Sequence, residues 1–223
     1  MTIVLDSDLK QLLDSPRLAF IARRIDAVLA DEAQGRREFY ASISEGDKAE
    51  FINGEVIFHS PVKLRHNAVA KRLLILLDTY VTRRGLGYVG FEKIMISLTR
   101  NDYEPDICYF GTDKAARFTP DQMRFPAPDL IVEVVSESTE HIDRGVKFDD
   151  YAAHNVREYW IIDPEAEMLE QYHLTENGDV YDLVIKAATG LVSSFTVAGF
   201  EIPVRAIFDP AANQETLQTL IAR

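Results

Sequence analysis

Cysteine is scarce in this chain, since Cys108 is the single one among 223 residues. One thiol can neither close an intrachain disulfide nor build a thiolate metal cluster, which excludes small secreted disulfide scaffolds and cysteine-rich zinc domains. The five histidines show no HExxH spacing, which argues against a zinc protease as well. We therefore expect a reducing compartment and a cytoplasmic protein.

Long apolar runs are missing too. The longest run in the middle of the chain covers residues 73–77, far short of the roughly 18 residues that a membrane span needs. Residues 1–14 include Asp6, Asp8 and Asp14 and lack the basic start and unbroken apolar core of a signal peptide. We expect no association with a membrane.

Positive charge is in deficit, with 24 basic against 36 acidic side chains and a formal net charge of −12. This balance opposes general adhesion to nucleic acid or to an anionic membrane, so any contact with a phosphate backbone must rest on a local site. The chain does have an apolar content of 47%, which is enough for a sizeable core. We expect a soluble globular domain with an N-terminal extension.

The order of the predicted elements favours a mixed α/β fold. Apolar residues at helical spacing predict an amphipathic helix over residues 16–33. Asn53-Gly54 between two β-prone runs predicts a tight hairpin, and a second helix is predicted from after Pro61 to Gly85. Further patterns predict strands at residues 88–98, 105–110, 129–136, 157–163, 167–174, 180–186 and 191–196, and helices at residues 143–154 and 213–222. This succession indicates a central sheet with flanking helices.

Two acids contradict the pattern of their strands. Glu133 interrupts the apolar run at residues 130–135, where an unpartnered carboxylate would cost several kcal/mol. Asp106 follows Pro105 at the start of the strand predicted at residues 105–110. If these strands are neighbours, the like charges repel unless one acid is protonated or a divalent metal lies between them. The plainer alternatives are a Glu133 held by an arginine or by backbone amides, and an Asp106 that caps its strand.

Lys147 is the third candidate. Helical spacing puts Lys147, Tyr151 and His154 on one face of the helix that follows the strand of Glu133. The lysine could therefore point back at Asp106 and Glu133. The alternative is an ordinary surface ion pair with Asp143 or Asp150. Only the first arrangement would bring a cation to the predicted site.

Oxygen ligands favour Mg²⁺ or Mn²⁺, which use one or two protein carboxylates and keep several waters. His66, near the start of the long helix, could approach the substrate. It could equally cap that helix or pack against neighbouring side chains. The chain has no GxGxxG, GxxxxGK[ST] or GxSxG motif, which argues against common nucleotide-binding and serine-hydrolase sites. A glycosidase that uses Glu133 and Asp106 is a weaker alternative, because nothing else indicates sugar binding.

Several short motifs follow one another along the chain: residues 50–55 (EFINGE), Ser60-Pro61 with His66, residues 105–107 (PDI), residues 128–136 (PDLIVEVVS), Ser138-Thr139, Lys147 with Tyr151, and residues 158–164 (EYWIIDP). In their order and spacing they resemble the Uma2 family, also known as DUF820, of the PD-(D/E)XK restriction-endonuclease-like superfamily. The resemblance implies a restriction-endonuclease-like domain over residues 39–223, with a mixed sheet, flanking helices and C-terminal antiparallel hairpins. Residues 1–38 would form a helical extension.

The resemblance also implies a metal-dependent phosphodiesterase site at the open edge of the sheet. Asp106 and Glu133 match the family's metal ligands, and Glu55 matches an acid of the opening hairpin that would complete the metal shell. Val135 stands where the superfamily has lysine, so Lys147 would take that catalytic role from the following helix. The residues expected near the substrate are His66, Ser136 and Tyr151.

The resemblance predicts a Mg²⁺- or Mn²⁺-dependent endonuclease, or a related phosphodiesterase, that cleaves DNA or RNA. Local cations that could guide a phosphate backbone are Lys63, Arg65, Lys71, Arg72 and Lys93. The alternative is a catalytically silent interaction module with a nuclease-like fold, homodimeric through the helix at residues 18–29.

Overall fold

The computed structural model describes residues 7–44, 46–176 and 178–222. Its helices are α1 (Ser7–Leu13), α2 (Leu18–Ser42), α3 (Leu64–Arg84), α4 (Thr112–Ala115), α5 (Glu140–Asp143), α6 (Val146–Ala153), α7 (Arg205–Phe208) and α8 (Pro210–Ala222). Its strands are β1 (Ala49–Ile52), β2 (Glu55–Phe58), β3 (Gly87–Phe91), β4 (Met95–Ser97), β5 (Asp102–Tyr103), β6 (Ile107–Gly111), β7 (Arg124–Phe125), β8 (Leu130–Val134), β9 (Glu158–Asp163), β10 (Met168–Leu174), β11 (Tyr181–Ala187), β12 (Leu191–Ser193) and β13 (Glu201–Pro203).

The central sheet has the strand order β11-β10-β9-β8-β6-β3. β8 and β9 run parallel, whereas the other neighbours are antiparallel, so the sheet is mixed as predicted. The predicted antiparallel pairs near the C-terminus are present, β10 with β11 and β12 with β13. Asp106 directly precedes β6, and Glu133 lies on the neighbouring strand β8. The strand order therefore makes the two acids neighbours.

The two faces of the central sheet pack in separate cores. Leu130 and Val134 of β8 contribute to the core that contains residues of α3, α7 and α8. Ile131 and Val135 contribute to the core that contains residues of α6 and of a second sheet. Because side chains alternate between the two faces of a strand, Glu133 lies on the same face as Ile131 and points toward α6.

The second sheet has the order β2-β1-β5-β4-β7. Asn53 and Gly54 connect β1 to β2 with φ angles of 49° and 88°, the positive values that a two-residue hairpin needs, so the predicted hairpin is confirmed. β1 is buried along its whole length, while β2 forms the edge of the sheet and is largely exposed. This arrangement buries Glu50 of β1 and leaves Glu55 of β2 in solvent.

The two long helices differ in how well the sequence predicts them. α3 ends at Arg84, followed by Gly85 with a left-handed φ of 61°, as the sequence predicts. α2 is longer than predicted and continues to Ser42, so residue 38, the predicted end of the extension, lies inside this helix. Its C-terminal part is anchored by Phe39, which packs in a small core of the second sheet. Within the described ranges, no helix is long and apolar enough to cross a membrane.

Two predicted elements are interrupted in the structure. The strand predicted at residues 88–98 is split into β3 and β4 of different sheets, because Glu92 adopts a left-handed φ of 51° and turns the chain. The helix predicted at residues 143–154 is split into α5 and α6 around Gly145. A Cβ at Gly145 would lie 2.6 Å from the carbonyl oxygen of His141, so this close approach requires glycine.

Candidate active site

Asp106 and Glu133 interlock where β6 begins and β8 ends. The backbone N–H of Val134 donates a hydrogen bond of 2.8 Å to Asp106 Oδ2, and the backbone N–H of Asp106 donates one of 3.3 Å to Glu133 Oε2. Both residues are buried, with 8% and 4% of their surface exposed. Backbone donors on adjacent strands therefore hold the two carboxyl groups side by side.

Lys147 balances part of this negative charge. Its Nζ lies 3.0 Å from Glu133 Oε1, 2.9 Å from Glu50 Oε1 and 3.3 Å from Asp143 Oδ1. Tyr151, one turn later on α6, donates a hydrogen bond of 3.1 Å to Glu133 Oε1. Lys147 and Tyr151 thus both reach Glu133 from one helical face, and the alternative ion pair with Asp143 forms at the same time.

Two acids of this cluster were missed by sequence reasoning. Glu50 is 1% exposed, and its Oε1 also accepts a hydrogen bond of 2.8 Å from the backbone N–H of Glu104. Glu104 is buried, and its Oε2 has no hydrogen-bond partner in the described part of the chain. Glu50 interrupts a short apolar run, Ala49–Ile52, in the same way that Glu133 interrupts its strand, and this signal could have identified it. Glu104 lies in a polar stretch of the sequence and gives no such signal.

Partly exposed side chains border the acids. Lys48 Nζ lies 3.9 Å from Asp106 Oδ1, and His66 Nε2 lies 3.2 Å from Asp106 Oδ2. His59 Nε2 lies 3.3 Å from Glu50 Oε2. The first turn of α3 carries His66, so the start of this helix is directed at Asp106. The border of the cluster therefore carries one lysine and two imidazole rings, each next to a carboxylate.

The acids differ in their affinity for protons. Burial, together with the neighbouring acids, raises the pKa of Glu133 to about 8 against the attraction of Lys147. For Glu50, burial would raise the pKa, but Lys147 and the nearby His59 outweigh it and lower the pKa to about 2. Burial and the charge of Glu50 raise the pKa of Glu104 to about 7. The cluster thus holds more carboxyl groups than its cations can keep ionised.

Asp106 and Lys147 stay charged in this environment. Burial would raise the pKa of Asp106, but the hydrogen bond from His66 and the charge of Lys48 lower it. Burial would lower the pKa of Lys147, but the carboxylates, with Glu133 as the largest influence, raise it well above its ordinary value. The raised pKa of Lys147 favours the charged ammonium over a role as proton acceptor.

Three predicted residues do not join the cluster. Glu55 is exposed on the edge strand β2 and contacts none of the acids in the described part of the chain, so the acid that the hairpin contributes is Glu50. Ser136 follows β8 and bonds through its hydroxyl to those of Ser138 and Thr139. His154, also predicted on the face of Lys147, lies instead beside the backbone and side chain of Asp150.

The donor set is suited to an oxygen-seeking cation. Asp106 Oδ1 accepts no hydrogen bond from the described residues, with Lys48 Nζ 3.9 Å away, and Glu133 Oε2 accepts one long bond. No group of three or more histidine, cysteine or acidic side chains in the described ranges is arranged to hold a metal ion. Two carboxylates completed by waters suit Mg²⁺ or Mn²⁺, whereas zinc would need more protein ligands.

Comparison with protein families matches residues 36–205 to the Uma2 family, which carries the description "Putative restriction endonuclease". Two proteins of Synechocystis sp. are similar in sequence. Uncharacterized protein sll1609 is 30% identical over 129 residues, which cover 56% of this chain and 72% of the relative. Uncharacterized protein slr1290 is 29% identical over 136 residues, which cover 60% and 70%.

A solved structure has the same fold. It is the crystal structure of a putative nuclease belonging to DUF820 from Anabaena variabilis, with a TM-score of 0.66 and 16% sequence identity. The match covers 79% of this chain and 97% of that protein. The predicted fold is thereby confirmed.

Proposed function

The chain belongs to the Uma2 family, and we propose that it is a nuclease that hydrolyses phosphodiester bonds of nucleic acids with the help of a divalent metal ion, Mg²⁺ or Mn²⁺. One observation carries this proposal. Asp106 and Glu133 lie side by side on adjacent strands, buried and tied to each other's backbone, and the Lys147 ammonium touches Glu133 at 3.0 Å. This combination of two carboxylates and a lysine suits phosphoryl transfer assisted by a metal.

Asp106 and Glu133 are the proposed metal ligands. A divalent ion bound there would polarise the scissile phosphate and lower the pKa of an attacking water. The residues around the pair fix its geometry. His66 approaches one oxygen of Asp106, and Tyr151 and Lys147 share one oxygen of Glu133, so Asp106 Oδ1 and Glu133 Oε2 are the oxygens with fewer protein partners.

Lys147 is the proposed catalytic cation. Because its neighbours hold its pKa well above the ordinary value, it would not take a proton from water. It would instead orient the attacking water and offset the charge that develops on the phosphate. Glu50 and Asp143 also contact the ammonium, at 2.9 Å and 3.3 Å, and are positioning residues in this scheme.

The net charge of −12 requires that the substrate be attracted locally. Lys48 lies next to Asp106 with part of its side chain exposed, and Lys63 directly precedes the first turn of α3. The positive end of that helix dipole lies beside His66, which favours a phosphate group there. A cytoplasmic location completes the proposal and agrees with the free, buried thiol of Cys108.

The test is cleavage of single- and double-stranded DNA and RNA by the purified full chain with Mg²⁺, Mn²⁺ or EDTA. We expect cleavage of at least one substrate that needs the metal, and a loss of about 100-fold or more in Asp106→Asn, Glu133→Gln and Lys147→Met. Glu55→Gln is the matched control, because this exposed acid should be dispensable.

Two results would contradict the proposal. One is cleavage that continues unchanged in Asp106→Asn and Glu133→Gln, which would assign the activity to another site or to a contaminant. The other is a folded wild-type protein that cleaves none of the four substrates with either metal, which would favour a catalytically silent interaction module.

A further inference from the structure

The first half of α2 presents an apolar stripe to solvent. We define the α2 stripe as Phe20, Ile21, Ile25, Val28 and Leu29. Four of these side chains are 40% to 53% exposed, far more than a helix packed on its own core would allow. Together with Arg24 and Arg100 they line a shallow groove of about 310 Å³. The stripe is therefore a surface, and its composition is that of an interface.

Nothing in the described part of the chain covers this surface. α1 precedes it, but Leu9 and Leu13 of α1 are themselves 43% and 44% exposed. The family match begins at residue 36, after the stripe, so the stripe is not part of the matched domain. An interface here is independent of the proposed active site.

Charged residues next to the stripe follow a seven-residue repeat. Arg17, Arg24, Asp31 and Glu38 recur at this spacing, basic in the first half of the repeat and acidic in the second half. A seven-residue repeat keeps residues on the same side of a helical seam. Two antiparallel α2 helices that cross at Ile25 and Val28 bring Arg24 of one copy opposite Asp31 of the other, and two-fold symmetry repeats this pair. Beyond the crossing, Gly35 and Phe39 of each helix pack on the second sheet of their own chain.

The same register also matches the apolar side chains. Ile25 of one helix then faces Val28 of the other, and Leu29 faces Ala22. A parallel pair would instead leave the two basic halves side by side. In the antiparallel orientation, the basic half of one α2 therefore faces the acidic half of the other. This complementarity favours a second copy of this chain as the partner.

We propose that the protein forms a homodimer through antiparallel pairing of α2 from two copies. The α2 stripe forms the apolar seam, and the Arg24–Asp31 pair, which two-fold symmetry repeats, sets the direction and register. Dimer formation does not depend on nuclease activity, so this proposal and the proposed function can fail separately.

The test is sedimentation velocity of the full chain over a wide concentration range. The wild type should show a species of twice 25.2 kDa. Arg24→Glu and Asp31→Arg should each raise the dimer dissociation constant about tenfold, because each creates two like-charge contacts. The double variant Arg24→Glu/Asp31→Arg should restore the wild-type value, because both pairs are re-formed with reversed charge.

Control variants keep the result interpretable. Asp26→Arg makes the same charge change as Asp31→Arg but away from the seam, and it should leave the dimer intact. Within the described residues, the side chains of Arg24 and Asp31 make no hydrogen bond or ion pair, so these substitutions should not alter folding, which circular dichroism checks. Ile25→Glu should give a folded monomer.

Three outcomes would overturn the proposal. The wild type could remain monomeric at every concentration, which would leave the stripe to a different protein. A dimer could persist in Ile25→Glu, which would locate the interface elsewhere. The double charge reversal could dimerise as weakly as the single variants, which would exclude the antiparallel register.

Discussion

Glu133 has too little positive charge around it to remain ionised without help. One of its oxygens accepts hydrogen bonds from Lys147 and Tyr151, and the other accepts a bond from the backbone of Asp106. Lys147 also forms ion pairs with Glu50 and Asp143, so its positive charge is shared among three carboxyl groups. Burial therefore raises the pKa of Glu133 to about 8. A divalent cation bound next to Glu133 would favour its ionised form and so oppose the effect of burial.

This raised pKa predicts how stability depends on pH. Between the ordinary value of 4.5 and about 8, the folded chain keeps a proton on Glu133 that the unfolded chain has released. The free energy of unfolding should therefore fall as pH rises through this range, by about 1–3 kcal/mol from this group. The opposite effect of Glu50, whose pKa is lowered to about 2, occurs below pH 4.5 and does not interfere. Urea unfolding in EDTA at several pH values measures the slope.

Glu133→Gln provides the comparison. The amide cannot titrate, so the variant should lose this part of the slope, while Glu55→Gln should keep the wild-type slope because Glu55 is exposed. Glu104, whose pKa is raised to about 7, contributes a slope of the same sign in all three proteins. Identical slopes in Glu133→Gln and in the wild type would show that Glu133 is ionised at neutral pH.

Part of the cluster could be predicted from local sequence patterns. Glu133 interrupts an apolar strand, and Lys147 and Tyr151 have helical spacing after it. The contact of Lys147 with Glu50 could not be predicted, because it joins residues almost a hundred positions apart and depends on how the second sheet meets the first. That Glu50 and not Glu55 contacts Lys147 could not be predicted for the same reason, since only the strand order makes β2 the edge.

Among the secondary-structure elements, β3 shows how closely the backbone is packed at the edge of the central sheet. β3 is the edge strand next to β6, the strand that follows Asp106. Gly87 at its start has a φ of 137°, and a Cβ there would lie 2.0 Å from the carbonyl oxygen of Phe110. Gly87→Ala should therefore lower the free energy of unfolding by about 3 kcal/mol or more, because the two strands must separate. Thermal or urea unfolding measures this loss.

Gly85 is the matched control in the same turn. Its φ of 61° is also left-handed, but a Cβ there would have no atom within 4 Å. Gly85→Ala should cost only about 1–2 kcal/mol from the backbone conformation. Equal losses in the two variants would show that the backbone conformation, and not the contact with β6, decides the stability of this edge.

Elements were predictable where one periodicity continued to a clear end. α3 has apolar residues at helical spacing and a final glycine, and both are found in the structure. The strand predicted at residues 88–98 failed because a single residue, Glu92, turns the chain between two sheets. The early end predicted for α2 failed because its last turns pack through Phe39 on the second sheet, a contact that periodicity does not report.

In the molecule as a whole, the candidate site lies where the two sheets and α6 meet. β1 contributes Glu50, the start of β6 contributes Asp106, β8 contributes Glu133, and α6 contributes Lys147. These four elements all lie within residues 36–205, the matched domain, while the apolar stripe of α2 lies outside it. The fold thus separates the proposed chemistry from the proposed dimer interface.

The most direct test of the proposed metal site is anomalous diffraction from a crystal of the full chain soaked in Mn²⁺. We predict one strong peak within coordination distance of both Asp106 and Glu133, with the Lys147 ammonium still next to Glu133. The contradicting result is no anomalous peak at Asp106 and Glu133 in crystals where other sites have bound Mn²⁺. Two carboxyl groups that do not bind the ion cannot form a metal-dependent catalytic centre.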